Sequence, residues 1–254
     1  MKYIHKKTNL PVISISYFGH IADNVDQTRD NNLNRQVEHK IEVFDAIIPQ
    51  NVNILLAGHS IGGYMTVELL RRLKTHRKVE QSFLLMPAIQ HLASSTNGLV
   101  FNQLFKLKYI VFAFVYMLST FVNRKVAHYM LDKFLKTFFG APDCFTRGTL
   151  EIINWKVIRN VIELAQDEFD KVKERDDETI RENINNLTFI YAEQDGWATK
   201  HHYDDLRSTY PDGDIKYFEK VWHVFYLDKT SSEQVADVLI QRIQNKRDIN
   251  LNLK

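Results

Sequence analysis

The sequence predicts an α/β fold, a mostly parallel sheet with helices on both faces, on three observations. An apolar run, Asn53-Ile54-Leu55-Leu56-Ala57, passes straight into Gly58-His59-Ser60-Ile61-Gly62 and then into an amphipathic stretch that begins at Tyr64. Two further strand-like runs, Thr188 to Ala192 and Ile215 to Phe218, each end in a polar loop in the C-terminal third. Between Pro87 and Asn185 the alternation of strand and helix gives way to long helical stretches, which reads as a helical cap insertion over residues 88–185 of a single 1–254 domain. The length of 254 residues suits one such domain, and a hydrophobic fraction of 44% is enough to fill its core.

Taken in chain order, the N-terminus Met1-Lys2-Tyr3-Ile4-His5-Lys6-Lys7 has no apolar centre and is not read as a signal peptide. Leu10 to Ser16 reads as a strand, followed by a polar region holding Asn31, Asn32 and Asn34 and by a helix from about Asn34 to Ile48. The strand of residues 53–57 leads into a tight turn at Ser60. There a serine backbone is held in a sparsely populated conformation and bulky neighbours two residues to either side would collide with it, so Gly58 and Gly62 are the expected elbow residues. With only 9 glycines in the chain, two at these positions are informative. Val67 to Leu73 and Gln234 to Ile243 are amphipathic scaffold helices, and Asp167 to Glu182 reads as a charged, solvated face without chemistry.

A strand-to-helix turn of this kind exposes a serine hydroxyl, and Ser60 is the candidate nucleophile. A base and an orienting acid then follow in the order serine, acid, histidine. Asp195, in Glu193-Gln194-Asp195-Gly196-Trp197, lies in the loop after one strand, and His223, in Val221-Trp222-His223-Val224-Phe225, lies after the next. Such loops at strand C-terminal ends carry ligand sites in open α/β sheets. Glu193 competes with Asp195 for the acid's role but lacks the glycine turn after it, so Asp195 is favoured. His59 is assigned to the elbow rather than to chemistry, and His20 is a residue that could line the pocket. The adjacent His201 and His202 point in different directions on a helix and make no metal pair. The backbone N–H of Ile61 is one donor for a tetrahedral oxyanion. No glycine-rich loop supplying a second donor is visible in the 59 residues before Ser60.

Leu104 to Val122 is the most apolar stretch of the chain, and its last fourteen residues, Tyr109 to Val122, carry no charge. A spanning helix needs about 20 apolar residues, so this segment suits a helix lying in or dipping into a lipid monolayer. Tyr109, Ile110, Val111, Phe112, Phe114, Val115, Leu118 and Phe121 are the expected membrane-associating residues, flanked by Lys106, Lys108, Arg124 and Lys125 as headgroup anchors. The competing reading is a buried cap helix packed on the sheet. A net charge of +2, from 33 Lys and Arg against 31 Asp and Glu, gives no basis for a nucleic-acid partner. The single cysteine, Cys144, allows no intrachain disulfide and fits a reducing, cytosol-facing location. No cofactor or metal site is expected.

The run Gly-His-Ser-Ile-Gly-Gly-Tyr at 58–64, Lys-Glu-Arg-Asp-Asp-Glu-Thr-Ile at 173–180, Asp195-Gly196-Trp197 and Tyr-Pro-Asp-Gly-Asp-Ile at 210–215 together resemble the lipid droplet-associated hydrolases, over nearly the whole chain. The resemblance implies an α/β-hydrolase fold and a serine esterase of cholesteryl esters or related neutral lipids, located on lipid droplets and the endoplasmic reticulum. It carries the nucleophile, acid and base onto Ser60, Asp195 and His223. A catalytically weak droplet protein that affects lipid storage through its apolar segment is the alternative it leaves. The family has an apolar strand and an Ile-Pro-Gly-Asn-Pro-Gly-like turn ahead of the part matching Lys2 to His20, so the N-terminal strands of the fold are expected to be missing here. Either Leu10 to Ser16 then pairs with residues 53–57, or the nucleophile strand keeps an open edge.

Overall fold

The computed structural model describes residues 1–21, 31–74, 77–139 and 154–252. Cys144 lies outside the described residues. In these the chain forms helix α1 (Lys2–Thr8), α2 (Leu33–Ile47), strand β1 (Ile54–His59), α3 (Ile61–Leu73) and β2 (Val79–Leu85). Between β2 and β3 (Leu187–Gln194) come α4 (Thr96–Phe105), α5 (Lys108–Phe121), α6 (Arg124–Phe139), α7 (Trp155–Lys171) and α8 (Asp177–Asn183). The chain closes with α9 (Lys200–Thr209), β4 (Asp214–Trp222) and α10 (Lys229–Asn252). It divides into two compact units, residues 1–15 with 224–254, and residues 16–223. In the first, α1 and α10 are joined by the Tyr3 hydroxyl donating to Asp237 at 2.7 Å.

The larger unit is built on a four-stranded sheet in the order β1-β2-β3-β4, with every pair parallel. Parallel pairing brings all strand C-terminal ends to one edge, and the connections between strands must cross over on helices. β3 is central and buried over its first six residues, as expected of a parallel strand covered on both faces. Val67 and Leu70 of α3, Leu84 of β2, Ile180 of α8, Phe189 and Tyr191 of β3 and Leu206 of α9 meet in one apolar core. Residues 54–57 of the predicted run form the first part of β1, and the helix after Ser60 begins earlier than the apolar pattern marks, at Ile61.

Leu10 to Ser16, expected as a strand, forms none: these residues are irregular, and Ile13 is 55% exposed. A strand is stable only with a ladder partner, and Pro11 cannot donate to one. Among the described residues β1 pairs with β2 alone, so of the two outcomes considered it is the open edge that occurs. The loop after residue 16 is held instead by buried amides. Gln36 of α2 bonds both the N–H and the C=O of Phe18, at 2.9 Å each, and donates to Asn31 at 2.6 Å. Asn160 of α7 donates to the carbonyl of Gly19 at 2.9 Å while its own carbonyl accepts from Asn31 at 2.8 Å. Reciprocal amide pairing of this kind satisfies both the donors and the acceptors of these buried amides, which an apolar contact could not do.

Arg77 ties α2 to the base of the sheet. Its side chain is fully buried and donates to the carbonyls of Phe44, Ile48 and Pro49 and to the Asp45 carboxylate. One of these, the carbonyl of the C-cap residue Ile48, is left by the end of α2 without an intrahelical donor.

The Asp167 to Glu182 stretch, expected as a solvated face, is a junction. Asp167 accepts from the Leu33 N–H at 2.7 Å, Arg175 reaches both Asp177 and Asp205 at 2.6 Å, and Thr179 and Ile180 are buried. The physical reason is that α7 ends and α8 begins inside this segment, so its charges cap and join helices rather than cover one. Burial pushes the Glu168 carboxyl up to about 8, and the neighbouring Asp167 charge adds to the shift. Glu168 therefore holds its proton in the folded chain over a pH range in which the unfolded chain has lost it, and stability must fall as pH rises from about 4.5 to about 8. Glu168→Gln is expected to flatten that part of the stability–pH curve and to be the more stable chain at pH 8, as read by urea unfolding across pH 5 to 9. A slope unchanged in the variant would assign it to other groups.

Candidate active site

Three side chains meet at the C-terminal edge of the sheet, each from the residue directly after a strand: Ser60 after β1, Asp195 after β3 and His223 after β4. The Ser60 Oγ lies 2.9 Å from the His223 Nε2, and the His223 Nδ1 lies 2.7 Å from the Asp195 Oδ2. A carboxylate only accepts, so Nδ1 carries the hydrogen and Nε2 presents its lone pair to the serine hydroxyl. The Asp195 side chain is shut off from solvent, and its other oxygen accepts from the N–H groups of Trp197 at 2.8 Å and Ala198 at 2.9 Å. Those two bonds fix the carboxylate independently of the histidine.

Ser60 has φ 56° and ψ −122°, a conformation that costs about 1–3 kcal/mol and persists only where its surroundings enforce it. Here its N–H donates to the Leu85 carbonyl at 2.9 Å, and its carbonyl accepts from Gly63 at 2.8 Å and from Ala88 at 3.0 Å. A Cβ on Gly58 would stand 2.0 Å from the Gly62 carbonyl oxygen and 2.4 Å from the Thr66 Oγ1. The matching expectation for Gly62 is not met, since a Cβ there meets nothing within 4 Å. The crowded neighbour is Gly63, whose Cβ would lie 2.6 Å from Pro87. The elbow turns so sharply that the residue packed against the next loop is three past the serine, not two. Ile61 is the first residue of α3, so its N–H has no carbonyl one turn back and points from a helix N-terminus.

Glu193, the competing acid, accepts from the backbone N–H of Lys220 at 2.9 Å, where the chain turns through φ 60°. It braces the end of β4 and lies outside the Ser60–His223–Asp195 line. Next to it, the Gln194 carbonyl accepts from the His223 N–H at 3.1 Å. His59, expected to serve the elbow, also reaches the base's main chain: its Nε2 donates to the His223 carbonyl at 2.8 Å. Sequence spacing holds no signal for a contact across 164 positions. His20 stacks on Tyr17 at 5.2 Å and burial lowers it to about 4, so it stays neutral. Among the described residues no group of three His, Cys, Asp or Glu is arranged to hold a metal ion.

The acid's loop is clasped from above by α4. The Asn97 N–H donates to the Gly196 carbonyl at 2.9 Å, and a Cβ on Gly196 would stand 2.4 Å from the Asn97 Oδ1. Trp197 packs on Phe101 at 5.0 Å and on Phe169 of α7 at 6.1 Å. The outer side of α4 exposes Leu99, Val100 and Leu104, and α6 exposes Tyr129 and Met130. On α5, Tyr109 is 74% exposed and Phe121 79%, with Ile110, Val111 and Phe114 also exposed. Phe112 and Val115 are partly buried, and the side chain of Leu118 is outside the described ones. No single described helix is long and apolar enough to cross a membrane; Thr96–Phe105 and Lys108–Met117, bent by 70° at their junction, reach that length and composition only as a pair.

Parallel strands, helices on both sides and a strained serine between strand and helix define an α/β-hydrolase. Solved structures share that fold: a carboxylesterase of the thaumarchaeon Nitrososphaera gargenis aligns with a TM-score of 0.53 at 9% identity, over 85% of this chain and 74% of that one. A RedJ thioesterase of Streptomyces coelicolor gives 0.51 at 13% identity, over 89% and 77%. The particular family is the lipid-droplet associated hydrolases, whose model matches residues 1–226, and the chain belongs to it. Relatives named lipid droplet-associated hydrolase are 34% identical in Gallus gallus over 80% of this chain, and 30% identical in Homo sapiens and in Drosophila melanogaster over 94%. The match spans 63% of the Gallus protein, 78% of the human one and 81% of the fly one, so it covers less than two thirds of the first of these.

The glycines separate cleanly by experiment. Gly58→Ala is expected to destabilise the fold by about 2–4 kcal/mol, because backbone and not a flexible side chain stands in the way. Gly62→Ala is expected to be neutral or to stabilise by up to about 1 kcal/mol, since it removes a helical glycine without a clash. Urea midpoints of the two variants check the pair, and equal losses would show that the elbow is not packed as described.

Proposed function

We propose that this protein is a serine hydrolase of the carboxylic esters of lipids, cholesteryl esters or other neutral esters among them, acting at the cytosolic face of a lipid droplet or the endoplasmic reticulum. The observation that carries the reading is the unbroken hydrogen-bonded line from Ser60 through His223 to Asp195. In this mechanism His223 accepts the Ser60 proton at Nε2 as Oγ attacks the ester carbonyl carbon. The imidazolium so formed is held by Asp195, and the Ile61 N–H donates to the tetrahedral oxygen. Collapse of the intermediate expels the alcohol, which takes the proton from Nε2, and leaves the acyl group on Ser60. Water, activated by the same nitrogen, then releases the acid and restores the hydroxyl.

The exposed large apolar residues of α4, α5 and α6 support the lipid-surface part of the reading, because large exposed apolar surface marks an interaction site. Residues 88–185 then act as a cap whose outer side meets lipid and whose inner side, through Asn97 and Phe101, meets the loop of the acid at Gly196 and Trp197. A substrate dissolved in a droplet is thus delivered to the edge of the sheet that carries Ser60. The names of the relatives, lipid droplet-associated hydrolase, support both the location and the class of activity.

Ser60→Ala is expected to abolish both turnover of p-nitrophenyl butyrate and labelling by a fluorophosphonate, while leaving binding to phosphatidylcholine-coated triolein droplets intact. If droplet size in cells responds equally to wild type and Ser60→Ala, the chain works instead through its apolar segment. Placing charges on the lipid-facing side, with Ile110→Asp and Phe114→Asp together, removes two large side chains worth about 1.5–3 kcal/mol each when buried. Droplet affinity is expected to drop by about tenfold or more. Flotation of the variant with the droplets as efficiently as wild type would refute the membrane assignment.

A further inference from the structure

The base of the site is held by more than the acid. His223 is the residue directly after β4, at the end of a strand that bulges against β3 between Ala192 and Gln194, and nothing in β-ladder geometry fixes a side chain beyond that point. Two tethers on its main chain do so. Its N–H donates to the Gln194 carbonyl at 3.1 Å, and its carbonyl accepts from the His59 Nε2 at 2.8 Å. The His59 and His223 rings stand 4.8 Å apart, tilted by 47°. His59 is also the last residue of β1, one position before Ser60, so a single strand end holds the serine and the anchor for its partner.

We propose that His59 is a positioning residue of this site: its imidazole clamps the main chain of His223 so that Nε2 is aimed at Ser60 and Nδ1 at Asp195. The inference rests on the hydrolase reading above. A carbonyl can only accept, so the clamp requires the hydrogen on the His59 Nε2. Burial, and secondarily the neighbouring His223, lowers the His59 pKa to about 4, so the clamping ring is neutral at physiological pH. That matters for a site where His223 becomes positive. A Lys or Arg in the same place would supply the same hydrogen bond but would oppose the imidazolium at short range. The position therefore calls for a neutral donor with the reach of Nε2, which the side chain of glutamine shares and that of leucine or asparagine does not.

His59→Leu, His59→Gln and His59→Asn, compared on p-nitrophenyl butyrate with fluorophosphonate labelling rates alongside, test the clamp. Displacing a catalytic group by about 1 Å can cost on the order of a hundredfold in rate. The leucine variant is expected to lose about 10- to 100-fold in kcat and in labelling rate with KM within about twofold, and the glutamine variant to recover most of that loss. Equal loss in the leucine and glutamine variants would make His59 a packing residue, and unchanged kcat in the leucine variant would remove it from the site. If the leucine variant does not fold, glutamine against asparagine decides: a faster glutamine variant supports the clamp, and equal rates overturn it. Ser60→Ala in the same assay separates the two claims. Turnover surviving there sinks the hydrolase reading and the clamp together, whereas a dead Ser60→Ala beside a wild-type-like His59→Leu sinks the clamp alone.

Discussion

Parallel pairing of β1, β2, β3 and β4 is the constraint on which the site depends, because it sends every strand into the same edge of the sheet and leaves the next residue of each free to turn inward. Ser60, Asp195 and His223 are each that next residue. Had β4 run antiparallel to β3, the residue after it would emerge some strand length away at the opposite edge. The ladder supplies the approach, and short polar contacts do the rest. Leu85 and Ala88 hold the strained serine, Trp197 and Ala198 hold the carboxylate, and Gln194 and His59 hold the imidazole by its main chain. Each of the three residues has its own support outside the triad. The line of hydrogen bonds between them therefore joins three positions that are already set.

The helices inserted between β2 and β3 give the larger unit two kinds of surface. Where α7 meets α2 and the 17–20 loop, the buried amides of Asn160, Asn31 and Gln36 pair with one another and with the backbone. On α4, α5 and α6 large apolar side chains face outward with no protein over them among the described residues. Exposed hydrocarbon of this extent marks an interaction surface, and the proposed function assigns it to lipid. The same α4 that exposes Leu99, Val100 and Leu104 donates a hydrogen bond into the loop of Asp195 and packs Phe101 on Trp197. The exposed apolar layer and the contact with the acid's loop thus share one short helix.

Much of this was legible in the chain because it is local. A buried parallel strand is a continuous apolar run, so β3 and the core of β1 could be found, the edge strand β4 shows through its β-favouring residues Ile215, Tyr217 and Phe218, and the strained turn at Ser60 shows itself through glycine and through the switch to period 3.6. What was not legible depends on partners distant in the chain. Leu10 to Ser16 has strand composition, but a strand exists only through the neighbour that pairs with it. Asp167 to Glu182 has the composition of a wet surface, yet its charges cap α8 and join α7 to α2. Gly62 and Gly63 are adjacent and chemically identical, and only the path of the loop at Pro87 makes the second of them the indispensable one.

The sequence by itself determined the fold class, the serine elbow, the order of nucleophile, acid and base, and the apolar stretch from Tyr109, since each follows from neighbours within a few residues of one another. Only the tertiary structure decided that Glu193 braces a turn while Asp195 faces the imidazole, that α5 is turned outward, and that His59 reaches the main chain of His223. Those assignments turn on hydrogen-bond distances between residues up to 164 positions apart. The energy of such a bond depends on its geometry and not on the separation along the chain, and no local pattern encodes it.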